Sequence, residues 1–454
     1  MPETDRSGMT NKRWIGLVAL LVAEAMNLLD ATIVQVAAPV IHSELGGRTS
    51  DIQWFSAAYT LPFAALLITG GRLGDRYGRR RTFVVGVTAF VLASAMCALV
   101  SDAGLLIGSR AVQGAAAALV IPQTIGLIKS SFTGPQLAKA LGTIGPVMGL
   151  AGISGPLLGG FITEVSSWRA VFLVNVPLGL AVLALSRLLP ESASPRPPGI
   201  DAVGTVLLTV GTALIVYPVL QSRDWLLLGA GVAVLGACAL QQRRRSSGRL
   251  IETSLFAHRG FAPALITSTL FFGVLSGVTL VVVLHQQLTL HHSVMHSSLT
   301  LLPWSAASGA ASLVAGQWLV ARFGSRLMYA GLGVLVAGLA ITPYALALGL
   351  AVGGVGVGLF TTAFFTEALH RVEPHETGSA AGLLNAVQQF GGTFGVAAFG
   401  SLFLHHPVGV DRAVWVAVAV VLVTFATAHL MRSQRWPCWS RRGRAVPEPV
   451  RIGQ

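Results

Sequence analysis

Glu24, Asn27 and Asp30 stand three residues apart inside Trp14–Ile41, an otherwise apolar run long enough to cross a bilayer, which takes about 20 residues. An ionisable side chain inside such a run is costly and points to an ion or substrate pathway. At about 100° per residue the three fall on one helical face, which is expected to look into a cavity rather than at lipid. Carboxylates there can take up and release protons and, when charged, attract a cation. An acid/base pair of the glycosidase kind does not fit, because a dry helical bundle offers no groove for a polymer. Arg110 is the one basic residue placed inside a later span. Counted at 1.5 Å per residue, Asp30 and Arg110 lie roughly 16 and 9 Å from the same membrane face, depths compatible with pairing. Either charge alone in a buried site would be strongly penalised. The pair reads as a proton-sensitive gate or as a static clamp between the first and fourth spans. Glu24 lies deeper, with no basic residue expected at its depth. It suits a proton carrier or a cation site, or a protonated group bonded to another helix through Gln113 or Asn385.

The elements that must hold these groups follow from composition. The chain has 454 residues, 53% hydrophobic and 11% charged, with mean hydropathy +0.70; soluble domains carry about 25% charged residues. An all-α polytopic membrane protein is implied, since a β-barrel would show short alternating segments. Fourteen spans are expected near 14–41, 51–72, 82–101, 104–130, 137–163, 168–190, 201–221, 224–241, 261–284, 296–321, 326–343, 345–369, 377–404 and 411–431. The stretch 326–369 must fit two helices and a turn at Pro343 into little length, so thirteen spans or a half-helix stay open. With the N-terminus inside, most of the 31 lysines and arginines fall on the inner side, while Arg48, Arg169, Arg223 and Arg412 fall outside. That bias orients the chain with both termini cytoplasmic. It also accounts for the net charge of +13 through anionic lipid headgroups, without nucleic acid. Cys97, Cys238 and Cys438 imply no disulfide framework, and the apolar run after MPETDRSGMTNKR is too long for a signal-peptide core.

An internal repeat supports two related halves. GGRLGDRYGRRR (70–81) follows the second span and GQWLVARFGSR (316–326) the tenth. The expected organisation is an N-terminal six-helix half (1–190), a linker with two extra helices (191–254), a C-terminal six-helix half (255–440) and a basic cytoplasmic tail (441–454). Duplicated helical halves around a shared midplane site are a transporter architecture. The fifth span carries Gly145, Pro146, Gly149, Gly152, Gly155, Pro156, Gly159 and Gly160, a spacing that allows close helix approach. Asn385, Gln388 and Gln389 in the thirteenth span join Asn27 and Gln113 as cavity-lining candidates. The outer histidines (His285, His291, His292, His296, His405, His406) do not form a zinc pattern. No nucleotide-binding or metalloprotease signature occurs, so no enzyme activity, cofactor or metal is expected.

Several of these motifs resemble one family. Gly71-Arg-Leu-Gly-Asp75-Arg76-Tyr-Gly78-Arg79 resembles the signature loop of the major facilitator superfamily, and Arg110-Ala-Val-Gln113-Gly114 its second motif. Gly155-Pro156-Leu-Leu-Gly159-Gly160 is similar to the motif of its antiporter branch. Leu29-Asp30-Ala-Thr32 and Trp168-Arg169-Ala-Val-Phe172-Leu-Val-Asn175-Val-Pro177 resemble the fourteen-spanner drug:proton antiporters, the quaternary-ammonium and multidrug pumps. The resemblance implies alternating access, with Asp75 and its arginines latching the outward-open state against a helix N-terminus. Ala321 stands where Asp75 has its counterpart, so the latch would be one-sided. It further implies export, in exchange for protons and across the plasma membrane, of hydrophobic, cationic or zwitterionic drugs by a monomer. Glu24, Asp30 and Arg110 would carry the coupling. An exporter of one endogenous metabolite or lipid, a proton-symport importer and a non-transporting membrane sensor are the competing expectations.

Overall fold

The computed structural model describes residues 3–194, 199–222, 224–245, 249–250, 253–257, 260–370, 372, 377–405 and 410–433. The tail 441–454, Arg196, Arg223, Arg371, His406 and Cys438 lie outside them. Long apolar runs broken by glycine, proline or charge become helices: α1 (Glu3–Leu45), α2 (Asp51–Tyr77), α3 (Arg79–Leu99), α4 (Ala103–Ser131), α5 (Gly134–Gly142), α6 (Ile144–Val165), α7 (Trp168–Leu173), α8 (Asn175–Ser186), α9 (Ala202–Tyr217), α10 (Trp225–Arg244), α11 (Phe261–Leu284), α12 (Val294–Val314), α13 (Val320–Phe323), α14 (Arg326–Ile341), α15 (Leu346–His370), α16 (Thr377–His405) and α17 (Val410–Ser433). The pairs α5–α6 and α7–α8 each make one crossing, and α12 continues through a π-helical turn (Ala315–Leu319) into α13.

Fourteen crossings result, and twelve of them are apolar and long enough to be recognised as spans on those grounds alone. The other two are α14, with 16 residues, and α16, whose Asn385, Gln388, Gln389 and glycines dilute its hydropathy. The stretch 326–369 therefore does hold two helices, with the turn at 342–345. This is the two-half architecture of six helices each, α1–α8 and α11–α17, with α9 and α10 inserted between them. Each half has its own apolar core. Phe63, Phe83 and Phe90 anchor the first, and Phe271, Phe360 and Phe364 the second.

The repeat is also conformational. Gly78 ends α2 at φ 104° and Gly324 ends α13 at φ 53°, backbone that L side chains seldom adopt. Both turns lie at the end of the bundle that carries Lys12, Arg13, Arg79–Arg81, Lys129, Lys139 and Arg187, here called the basic end.

The halves meet away from that end. Gln35 Nε2 donates to the Ser276 carbonyl at 3.0 Å, Gln287 Nε2 to that of Val36 at 2.9 Å, and the Met295 amide to Glu164 Oε2 at 2.9 Å. At mid-depth the Thr60 and Thr393 hydroxyls pair at 2.6 Å. Gly145, Gly152 and Gly159 are seven residues apart, hence on one stripe of α6. A methyl added at Gly159 would lie 3.1 Å from Ile33, one at Gly152 3.9 Å from Leu28, and one at Gly145 within 4 Å of nothing. Along this stripe the approach of α6 to α1 loosens from Gly159 to Gly145, toward the basic end. At the basic end α6 instead meets the first-half core through Ile144 and Val147.

The inserted pair covers the seam. Val216 and Leu220 pack with Ala57 and Leu61 of α2 and Ala397 of α16, and the Thr69 and Thr205 hydroxyls meet at 2.7 Å. Asp201 caps α9 through the Gly204 amide at 2.9 Å and pairs with Arg245 at 2.5 Å beyond α10. Burial pushes the Asp201 carboxyl up, but the Gly204 amide, Gln242, Gln241 and Arg245 together hold it below its usual range. A carboxyl lowered by folding adds stability above its unfolded value, and loses it as the pH falls through the folded one. Asp201→Asn should accordingly lower the melting temperature of the detergent-purified protein at neutral pH. Repeating the melt below about pH 4, the ordinary range for this group, should show the gap to wild type closing.

Candidate functional site

The polar stripe of α1 faces its own half of the bundle. Asp30 is 1% exposed and Arg110, from α4, is also 1% exposed; the guanidinium Nη1 donates to Asp30 Oδ2. The other carboxylate oxygen accepts from Gln113 Nε2 and from Asn175 Nδ2, both at 2.8 Å. Arg110 donates further to the Phe55 carbonyl at 3.0 Å and to Gln113 Oε1 at 2.7 Å, and lies 4.3 Å from the Tyr59 ring centroid. Ser94 Oγ accepts from both amides, at 2.7 Å from Gln113 and 3.3 Å from Asn175. Both charges are satisfied and dry, which such a pair requires. Expected at the cavity, Asp30 and Gln113 are instead enclosed by α1, α2, α3, α4 and α8. Asn27 is half-buried, and its Oδ1 accepts from the Tyr59 hydroxyl. Each of these polar groups minimises its burial cost by bonding to a neighbouring helix, and this turns the stripe inward.

Glu24 is different. It lies six residues from Asp30 toward the basic end, about 9 Å along the axis, and is 9% exposed. Its carboxyl sits beside the Thr124 hydroxyl of α4. It belongs to none of the ion pairs among the described residues. Leu28, one turn away, lies 3.9 Å from a methyl placed at Gly152 of α6. Asn385, Gln388 and Gln389 are half-buried on α16. Counted from Lys12 and Thr377, Glu24 and Gln388 lie about 18 and 16 Å in from the basic end, so amides of one half share a level with the carboxylate of the other.

The signature loop binds the linker. Asp75 pairs with Arg79 at 2.7 Å. The Arg79 amide donates to the Ser192 carbonyl at 2.8 Å and the Ser194 amide to that of Asp75 at 2.9 Å. Arg72 donates to the Gly199 carbonyl at 2.8 Å and the Leu250 carbonyl at 3.3 Å. Glu191 accepts from the Arg80 amide at 3.2 Å and faces Arg81 at 3.7 Å. Gly71 lies against Pro122, Arg76 is exposed, and Gly78 packs against Glu191. Of the expected latch, the Asp75–arginine pair is present; residues 373–376, just before α16, lie outside the described ones. In α6, Gly155 is packed against Thr32, Gly159 against Ile33 and Gly160 against Ser298, while Pro156 is buried inside the helix.

Sequence reasoning placed Asn175 in a motif but not at the carboxylate. Its signal was being the single amide in the apolar run 168–186. Ser94 had none, as one small hydroxyl in a span looks like any other. The outer histidines gather no metal set among the described residues; His292 Nδ1 pairs with Gln286 Oε1 at 2.7 Å.

Asp30→Asn would strand the Arg110 charge in a dry site, at about 3–5 kcal/mol. The variant should lose most of its monodisperse peak in size-exclusion chromatography, and Asp30→Asn with Arg110→Gln should recover part of it.

Comparison with known proteins agrees with this architecture. The model of the Major Facilitator Superfamily matches residues 20–396. The chain is 41% identical over 419 residues to the "Probable actinorhodin transporter" of Streptomyces coelicolor, covering 86% of this chain and 72% of that one. It is 33% identical over 484 residues to the puromycin resistance protein pur8 of Streptomyces alboniger (98% and 96%), and 32% identical over 414 residues to the drug efflux pump JefA of Mycobacterium tuberculosis (87% and 81%). A solved structure of a POT family transporter in complex with a thioalcohol-conjugated peptide superposes with TM-score 0.67 at 13% identity, over 92% of this chain and 96% of that one, a likeness of fold. A duplicated six-helix bundle and relatives of this kind lead to one statement: the chain belongs to the Major Facilitator Superfamily and is a membrane transporter, not an enzyme.

Proposed function

We propose that this transporter is a proton-coupled exporter of hydrophobic cationic or zwitterionic drugs or antibiotics, of the fourteen-span drug:proton antiporter kind. It works as a monomer in the plasma membrane, with the basic end and both termini in the cytoplasm. The observation that carries the reading is the division of labour on α1. Asp30 is locked by three side chains, whereas Glu24 has a hydroxyl and no cation beside it. Of the two, only Glu24 can exchange charge for a proton without dismantling an ion pair. The halves 1–190 and 255–440 rock about it, and the linker pair (191–254) follows the α2–α16 seam.

The looser approach of α6 to α1 at Gly145 supports a cleft that opens toward the basic end. A cation entering from that side meets Glu24 and, across the cleft, the amides of Asn385, Gln388 and Gln389. Once the cleft opens to the other side, a proton from outside neutralises the carboxylate, which weakens its hold on the cation and releases it. The protonated carrier returns and gives up its proton inside. Asp30, Arg110 and Gln113 couple this cycle by fixing α1 to α4 and α8. Asp75, Arg76 and Arg79, with Gly71 and Gly78, latch the outward-open state, and Gly155, Pro156, Gly159 and Gly160 form the seam that parts. A narrow exporter of one compound is the second reading, favoured because two relatives are named for single compounds, actinorhodin and puromycin.

Inverted vesicles holding the protein should release protons when lipophilic cations are added, and Glu24→Gln should abolish the release while keeping a wild-type elution profile. Proton release undiminished in Glu24→Gln would refute the assignment. A response to one compound in a broad panel would select the narrow exporter.

A further inference from the structure

On the bilayer side of the first half, α2, α3 and α4 leave a groove of about 280 Å³ between them. Leu66, Thr69 and Leu73 of α2, Ala89 of α3, and Val112 and Ala115 of α4 line it. Val112 is 51% exposed, so the groove opens outward rather than into the cleft. Thr69, the only polar residue in the lining, has its hydroxyl bonded to Thr205. The groove therefore offers an apolar slot walled by leucines, with alanines on α3 and α4.

The α2 wall does not stop at Leu73. Leu66, Thr69, Leu73 and Arg76 follow one another at i, i+3, i+7 and i+10, on one face of the helix. Arg76 comes one turn after Leu73, about 4.5 Å further toward the basic end. Arg76 and Tyr77 are both exposed there, with the guanidinium 5.7 Å from the ring centroid. Arg79 and Arg81 face carboxylates, Asp75 and Glu191. Arg76 is in none of the ion pairs among the described residues. A guanidinium suits a phosphate through paired hydrogen bonds, and an aromatic ring beside it suits the headgroup level of a membrane.

We propose that the groove and Arg76 form one binding site for an anionic phospholipid of the leaflet at the basic end. An acyl chain lies in the slot, the phosphate rests on Arg76, and Tyr77 sits at the interface. The inference rests on the chain spanning a membrane, not on export, so its failure would leave the transport reading untouched.

The test uses the full chain in phosphatidylcholine vesicles containing a minor fraction of phosphatidylglycerol with a diazirine on its acyl chain. After irradiation, peptide mass spectrometry locates the label. It should concentrate on peptides holding Leu66–Leu73 and Val112–Ala115. Arg76→Gln should lower that labelling by about fivefold, the factor expected for one basic residue at an anionic surface. Arg76→Lys should keep most of it, and Ala115→Phe, which fills the slot, should remove it. Labelling spread evenly over all bilayer-facing helices would overturn the proposal. So would equal labelling by diazirine phosphatidylcholine, or indifference to Arg76→Gln. Displacement of the lipid label by a lipophilic cation would assign the groove to drug instead.

Discussion

The buried contact between Asp30 and Arg110 is the constraint on which the first half depends. Two opposite charges, each about 1% exposed, are stable inside a bundle only when paired and when their remaining hydrogen-bonding sites are filled. Satisfying them takes Gln113 from the same helix as Arg110, Asn175 from α8, Ser94 from α3 and the Phe55 carbonyl from α2. One ion pair thus fixes the mutual rotation of five helices. It also fixes α1, and so sets which side chains of that helix remain near the cleft. Glu24 stands outside that network, with no ion-pair partner among the described residues.

The second constraint is steric. Gly159 and Gly160 let the α6 backbone close on α1 and α12 at one end, while a methyl placed at Gly145 toward the other would meet nothing within 4 Å. Small residues make a seam that closes without interlocking and parts at low cost. The inserted helices α9 and α10 do not enter this seam. They lie over the junction of α2 and α16, and the Asp201 cluster and Arg72 attach them to the signature loop. A movement of α2 against α16 must carry them along, so the linker is mechanically part of the bundle.

Much of this was legible in the sequence because a bilayer is a demanding solvent. Spans announce themselves by length and hydropathy, the basic end by its arginines, and the charged residues inside spans by their cost. Asp30 and Arg110 were matched by depth alone. What stayed hidden was rotation. The spacing of Glu24, Asn27 and Asp30 gives one face but not what that face meets, and the expected cavity proved, for Asn27 and Asp30, to be neighbouring helices. Gln113 was misplaced for the same reason. The thirteenth span, α16, is legible despite its amides and glycines, whereas 326–369 left thirteen spans or a half-helix open because α14 is apolar but only 16 residues long. The linker's contacts with Arg72, Asp75 and Arg80 left no trace, because irregular segments carry no periodicity to read.

The central claim is that Glu24, not Asp30, changes protonation when substrate binds. Infrared difference spectroscopy of the reconstituted protein, recorded on adding a transported cation, observes that change directly through the carboxylic acid C=O stretch. The account predicts that the band is lost on binding in wild type, that Glu24→Gln lacks the signal, and that the Asp30→Asn, Arg110→Gln double variant retains it. A band that survives in Glu24→Gln and vanishes when the Asp30 pair is replaced would contradict the account and move the proton to the buried network.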